Sequence, residues 1–467
     1  MAAAYLHGVE TIRIDGGSSP VYTVDGAITA IVGTGMSGPV NELTVCQTVK
    51  DFSQFGLLTG AGFTLPDAAN IWTRYQSGVA YVVNVLDPDK HKTVVDSELL
   101  VIDGDTLTAK TAHPAVQAGY TVLAGNQTLS EGTDYALNNE TGELTFVQMR
   151  SDVSISYAYL DPTKVTSEDI IGGYEAATGK RKGMELLTEG FTRLGADAKI
   201  IIVPQFDAEA TVAAAMVTLA DKLEAIAYIA APKGTTLTQA VQGRGSLGNI
   251  NFQTSSDRAQ LFYPYVTGTS GELESLATHA AGLRMRTDVE QGYWFSISNR
   301  ELSGVTGMEV SLTARIDDPQ AETNRLNEKG ITTVFNSYGT GFRLWGNRLA
   351  CFPTVTHIKN FETAQRTGDL INESIRRAQL QYIDLPIDDA LIDSLLGTVR
   401  TYLGTLKSIV GFSVSLDYDY DLADAFSKGQ VPIKYDYTPK LPAERITNTS
   451  VMTRTYLANL ISNQSAA

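Results

Sequence analysis

The order of apolar and polar positions divides the chain into stretches of different period. "AITAIVG" at 27–33 and "VAYVVNVL" at 79–86 are compact runs with almost no polar interruption. Runs of this length suit strands covered on both faces, as in a parallel sheet. "AKIIIVPQF" (198–206) and "EAIAYIAAP" (224–232) repeat the pattern, and "DAEATVAAAMVTLADKL" between them has helical spacing. Strand, helix, strand at this interval predicts a βαβ unit. Asp207 is placed as N-cap of its helix, with Glu209 in the first turn. Helices are also predicted over "LPDAANIWTRYQ" (65–76) and over 174–195.

Between about 90 and 165 the period shortens to two, with Gly, Asn and Asp at the breaks. This reads as a small all-β module inserted into another domain. "LLVIDGDTLTAKT" (99–111) carries an Asp-Gly pair between strand-like halves and predicts a hairpin. The last third mixes both periods. "DDALIDSLLGTVRTYLGTLK" (388–407) puts Leu391, Leu395, Val399, Tyr402 and Leu406 on one helical face. "GFSVSLDYDYD" (411–421) alternates like a half-exposed strand, and the strand-prone tail is broken by Pro432, Pro439 and Pro442, as edge or arm strands are.

Three glycine-rich stretches invite a chemical reading. Gly243, Gly245 and Gly248 in "GRGSLG" match a dinucleotide fingerprint literally, but a helical pattern precedes them where a strand is required. In "GGYEAATGKRKG" (172–183) the glycine spacing is one residue too long for a phosphate loop, and Arg181 stands where Ser or Thr must hold magnesium, so an exposed basic helix face is expected. In "NSYGTGFRLWGNRLA" (336–350) a β run precedes the glycines and an alternating "FRLW" follows. That is a hairpin.

Composition narrows the classes further. With 52 acidic against 36 basic residues the net charge is −16, which argues against nucleic acid and keeps single copies soluble and mutually repelled. Cys46 and Cys351 are far apart, and His7, His91, His113, His279 and His357 form no ligand pair in sequence, so neither metal nor cofactor is expected. No apolar run reaches the roughly 20 residues of a membrane helix, and the start has no signal-peptide pattern. An enzymatic role gains little from the residues. An α/β nucleotide- or substrate-binding enzyme stays as the alternative, and another self-assembling coat protein as a third.

Several blocks together resemble the contractile tail sheath proteins of bacteriophages and phage-tail-like particles. They are "HGVETIRIDGGSSPV" and "GAITAIVGTGMSGPVNE" near the start, "DRAQLFYPYV" (257–266), "AAGLRMRTDVEQGYWFSISNRELSGVTG" (280–307), "LNEKGITTVFNSYGTGFRLWGNRLA" (326–350) and "PKLPAERI" (439–446). The insert at 90–165 resembles the variable outer domain of the longer members.

The resemblance implies a multidomain α/β and α+β protein with a subtilisin-like core, an inserted all-β domain and extended terminal arms. It implies polymerisation as stacked hexameric rings around a tail tube protein, with baseplate and tail terminator proteins as further partners. Neither direct nucleic-acid binding nor membrane insertion is expected, and the place is a virion tail assembled in a host bacterial cytoplasm. The expected division is an arm over 1–20, core over 21–89 and 166–275, insert over 90–165, a C-terminal α+β domain over 276–429 and a second arm over 430–467. Val9, Ile12 and Ile14 in the first arm, and Ile433, Tyr435 and Ile446 in the second, are expected to add strands to neighbouring copies. "DGGSSP" (15–20) and "SKGQVP" (427–432) are expected to be the flexible links. The family places tube contact on the C-terminal domain, where Arg325, Lys329, Lys359, Arg366, Arg376 and Arg377 are the candidates.

Overall fold

The computed structural model describes residues 27–457 apart from Ser77, Ser246, Leu247, Ser337 and Tyr338. Its centre is a nine-stranded sheet. The strands Val79–Asn84, Ile28–Gly33, Ile200–Ile202, Ile226–Ala230, Ala259–Phe262 and Ile331–Phe335 lie side by side in that order, all parallel. Antiparallel strands close both ends: Thr44–Cys46 on one, and Arg343–Trp345 followed by Arg300–Glu301 on the other.

Alternation within each strand feeds two apolar layers. Ala30, Val32, Ile201, Ala227 and Ile229 face one side and pack with Val212, Met216 and Leu219 of the helix Ala210–Lys222. Ile31, Ile200, Ile202, Ile226 and Ala230 face the other and meet the helices Thr64–Thr73 and Leu276–Glu290. Gly282 sits where that second helix crosses Tyr75, and a Cβ there would lie 2.4 Å from the ring.

The all-β stretch forms two small sheets. One holds Lys92–Leu100, Val153–Leu160, Thr121–Ala124 and Gln127–Thr128; the other Thr108–Lys110, Glu143–Phe146 and Tyr135–Asn138. Their facing sides share a core of their own around Val122, Leu144, Val153 and Ile155. The expected hairpin at Asp103–Gly104 is corrected: the segment passes from the first sheet to the second, and Thr108–Lys110 pairs with Glu143–Phe146.

Two more expectations are corrected. The helix after the second core strand begins at Ala210 with Glu209 as its N-cap. Asp207 is buried in the preceding turn, where its Oδ2 accepts the Ala230 N–H at 2.7 Å. The stretch 174–195 is not one helix. Gly173–Glu175 and Lys180–Lys182 form a hairpin, followed by a short 3-10 turn and a five-residue helix. Gly172, Gly179 and Gly183 adopt positive φ there, which a helix cannot include. The hairpin read from "NSYGTGFRLWGNRLA" is present, with Val334 opposite Leu344 and Phe335 opposite Arg343.

Candidate functional site: the carboxyl-terminal lobe and its tail

The helix Glu362–Gln379 has two unlike faces. Ile371 and Ile375 join Val399, Tyr402 and Leu403 of the helix Asp389–Thr405, with Ile409, Val414, Tyr435 and Tyr437 packed around them. This small core defines a lobe. The opposite face is charged yet buried from Glu362 to Glu373, emerging at Arg376, and it lies across the amino-terminal ends of the central strands. Glu362 accepts from the Tyr228 hydroxyl at 3.2 Å and pairs with Arg284 at 3.3 Å. Arg366 donates to Asp288 at 3.0 Å, and Arg284 pairs with the same carboxylate. Asp369 meets Arg258 at 2.6 Å, Glu373 meets Lys199 at 2.5 Å, and Arg376 donates to Glu224 at 2.8 Å. Burial pushes the Asp369 carboxyl up to about 6 against the pull of Arg258.

These contacts bear differently on the candidate tube cations. Arg366 is 2% exposed and committed inside the molecule, so it is withdrawn. Arg376 is paired with Glu224, and Arg377 donates to the Gly195 carbonyl at 2.8 Å while its guanidinium covers the Phe191 ring, but both residues are exposed on the surface. Lys359 is paired with Asp257 at 2.9 Å on the surface. Arg325 is exposed and Lys329 half-buried on and beside the helix Glu322–Glu328, and neither is in an ion pair among the described residues.

On the lobe's outer side, Ile409–Leu416 and Ile433–Pro439 form an antiparallel pair. Val414 faces Tyr435 and Phe412 faces Tyr437 on the inner side; Ser413 faces Asp436 and Ser415 faces Lys434 on the outer. The Tyr435 hydroxyl donates to Asn372 at 2.8 Å, and burial raises its pKa. Among the described residues no third strand joins this pair, so its edges present backbone groups without a strand partner, the Val414 carbonyl accepting instead from Arg400 Nη2 at 3.3 Å. Val410 is 73% exposed on one of these strands.

After Pro439 the chain has no regular structure up to a 3-10 turn at Thr455–Leu457, and Ile446, Val451, Met452, Tyr456 and Leu457 are all exposed. The expected arm is corrected accordingly. Ile433 and Tyr435 belong to a strand paired within their own copy, because Leu416 and Val414 stand opposite them. Beyond Lys440, whose N–H still bonds the Ser408 carbonyl at 2.9 Å, the described chain with Ile446 is free of the lobe's sheet. Val9, Ile12 and Ile14 lie outside the described residues. The expected link at 427–432 is also corrected. The Gln430 N–H bonds to the Ala425 carbonyl at 2.9 Å and the Asp417 N–H to the Pro432 carbonyl at 3.0 Å, so this segment is a fixed turn of the lobe.

The site an enzyme reading would use lies at the other end of the sheet. A cleft of about 460 Å³ opens at the strands' carboxyl ends, lined by Asp67, Gln205, Lys233, Tyr265 and Glu274. A buried histidine stands behind it. His279 is held between the Tyr75 hydroxyl at 2.8 Å and Glu274 at 2.9 Å, and Arg74 grips the same carboxylate at 2.6 Å. Burial lowers the His279 pKa. These groups are spent on one another. The glycines of "GRGSLG" follow the short helix Leu237–Gln242, and Arg244 turns inward to the carbonyls of Lys329 at 2.9 Å, Phe252 at 3.0 Å and Phe352 at 3.2 Å. The motif is a fastening.

Residues 163–348 match the family model described as the phage tail sheath protein central domain. The tail sheath protein of Burkholderia phage BcepMu is 46% identical to this chain, over 98% of it and 99% of that protein. The chain belongs to the tail sheath family. The sheath protein of Escherichia phage P2 is 30% identical over 64% of the chain and 74% of its own length. Among solved structures, the anti-feeding prophage helical sheath in its contracted state aligns over 97% of the chain at 15% identity, with a TM-score of 0.60. The sheath complex of an extracellular contractile injection system, also contracted, gives 0.59 at 12% identity over 97% of the chain. As a member of this family the chain is a structural sheath subunit. Its charged seam and the Arg348–Glu444 contact described below had no signature in the sequence, because their partners are scattered along it.

Proposed function

We propose that this subunit polymerises as stacked six-membered rings around an inner tail tube, and that its lattice contracts to drive the tube through a cell envelope. The observation that carries the reading is one chain holding both halves of a strand exchange. It has a two-stranded sheet that no third strand joins among the described residues, and a tail on which Ile446, Val451, Met452, Tyr456 and Leu457 are exposed. A neighbour's tail on that edge would satisfy both. Each backbone hydrogen bond gained contributes about 0.5–1.5 kcal/mol, which roughly offsets the 1–2 kcal/mol per residue lost in ordering the strand. Burial of Val451, Tyr456 and Leu457 then tips the balance, at about 1.5–3 kcal/mol per fully covered aliphatic side chain.

The amino-terminal segment is the second donor in this reading, with Val9, Ile12 and Ile14 as its inward side chains. Arg325 and Lys329 are the first cations to face the tube, with Lys359, Arg376 and Arg377 where their surface contacts open. Baseplate and terminator proteins close the two ends, and assembly takes place in the bacterial host. The parallel core corresponds to the part likened to subtilisin, and the all-β stretch to an outer domain.

Electron microscopy of the purified protein tests this. Striated tubes are expected from the full chain, and none from a chain ending at Pro439 that stays folded by circular dichroism. Normal tubes from the shortened chain would end the strand-exchange reading. Charge reversal at Arg325 and Lys329 is expected to abolish co-assembly with the tube while leaving tube-free polymers intact.

A further inference from the structure

The tail leaves the lobe at Pro439, yet it is not free from there. Lys440 donates its N–H to the Ser408 carbonyl at 2.9 Å, which carries the pairing of the hairpin one residue further. Four residues on, Glu444 is gripped by Arg348, whose Nε lies 2.9 and 3.1 Å from its two carboxylate oxygens and whose Nη2 makes a second contact. Arg348 is itself fixed. Its guanidinium lies 3.6 Å from the Phe361 ring centroid and 4.7 Å from that of Phe352. Its Nη1 donates to Asn360 Oδ1 at 2.5 Å, and Asn360 is 1% exposed and donates to the Val355 carbonyl at 2.8 Å. A planar cation stacked on aromatic rings and anchored from behind presents its remaining N–H groups in one direction.

The rest of the tail root is laid over the body without being packed into it. Pro442–Arg445 form one wall of a cleft of about 710 Å³, with Ser298, Asn327 and Trp345 on the others. From Ile446 to Leu457 the described residues have only local hydrogen bonds, such as Thr455 N–H to Thr453 Oγ1 at 3.1 Å.

We propose that Arg348 and Glu444 form a clasp that fixes where and in which direction the carboxyl-terminal tail leaves the subunit. The segment that bends when neighbours shift is then Ile446–Ser450, beyond the clasp. This inference rests on the strand-exchange reading for its purpose, though its geometry stands in a single copy. Arg348 is a positioning residue in this scheme: it touches the root of the tail and no part of the neighbour.

Nitroxide labels on Ala443→Cys and, separately, Ser450→Cys test it by electron paramagnetic resonance of the full chain. Native Cys46 and Cys351 are buried, and burial raises both thiols, so labelling stays at the added site. In single copies the label at 443 is expected to tumble at least about threefold more slowly than the label at 450, and Glu444→Gln is expected to remove that difference. Glu444→Asp, which keeps the charge and shortens the reach, is expected to fall between. Equal mobility at the two positions in the native chain, or no change on Glu444→Gln, would overturn the clasp. Polymerisation is read separately at position 450. If that label stays mobile in tubes, strand exchange fails while the clasp is untouched.

Discussion

Two helices pack on the same central sheet by different chemistry. The helix Ala210–Lys222 meets it through Val212, Met216 and Leu219. The helix Glu362–Gln379 meets it through Glu362, Arg366, Asp369 and Glu373, each answered by a residue of the sheet or of the helix Leu276–Glu290. An apolar contact tolerates small slides, because dispersion is non-directional. A row of buried ion pairs does not, since each charge must stay opposite its partner to offset its own desolvation. The difference teaches that the lobe carrying the open-edged hairpin is registered on the core as well as attached to it.

The comparison breaks most directly at Asp288, which serves Arg284 and Arg366 together. Asp288→Ala leaves both guanidinium groups buried without that partner and is expected to cost about 3–5 kcal/mol in denaturant unfolding. Little loss would mean that the seam is wet and the contrast unreal.

The apolar side has a titratable flaw that sharpens it. Asp207 is 2% exposed, burial pushes its carboxyl up to about 7, and its Oδ1 has no hydrogen-bond partner, as is also true of Oδ1 of Asn251. The folded chain therefore keeps this proton to about pH 7, whereas the unfolded chain releases it near 4. Stability contributed by the proton is full below the unfolded value and is lost as pH rises through the folded one. Asp207→Asn removes this slope. The stability of the variant relative to the native chain is expected to grow by on the order of 3–4 kcal/mol between pH 4 and 8, measured by thermal or urea unfolding. A constant difference would place Asp207 in contact with water.

Within the lobe, Ile375→Val is expected to cost about 0.5–1.5 kcal/mol. Its effect should appear as faster amide exchange in 409–416 and 433–439 with the central strands unchanged. The smallest effect belongs to the surface pair Lys359–Asp257, where Asp257→Asn is expected to change stability by less than about 1 kcal/mol and to lose even that in high salt.

The sequence displayed whatever depends on nearest neighbours. Unbroken apolar runs located the parallel strands, the helical stripe at Leu391, Leu395, Val399 and Tyr402 located the lobe's second helix, and glycines between alternating residues located the hairpin ending in Arg343–Trp345. It misled wherever partners come from afar. The charges of 362–377 look like a solvated or tube-facing surface until Lys199, Glu224, Arg258, Arg284 and Asp288 are brought beneath them. Tyr435 reads as part of an arm, because alternation locates a strand without naming the strand beside it.

Among the described residues no third strand joins the hairpin of Ile409–Leu416 and Ile433–Pro439 on either side, and on the proposed reading every copy extends two tails. In a continuous lattice the supply of guests then equals the number of berths, layer after layer, with no adaptor required. On that reading the first and last layers would each be left with one unfilled side or one unplaced tail per copy, a ready place for a chain of a different sort to bind.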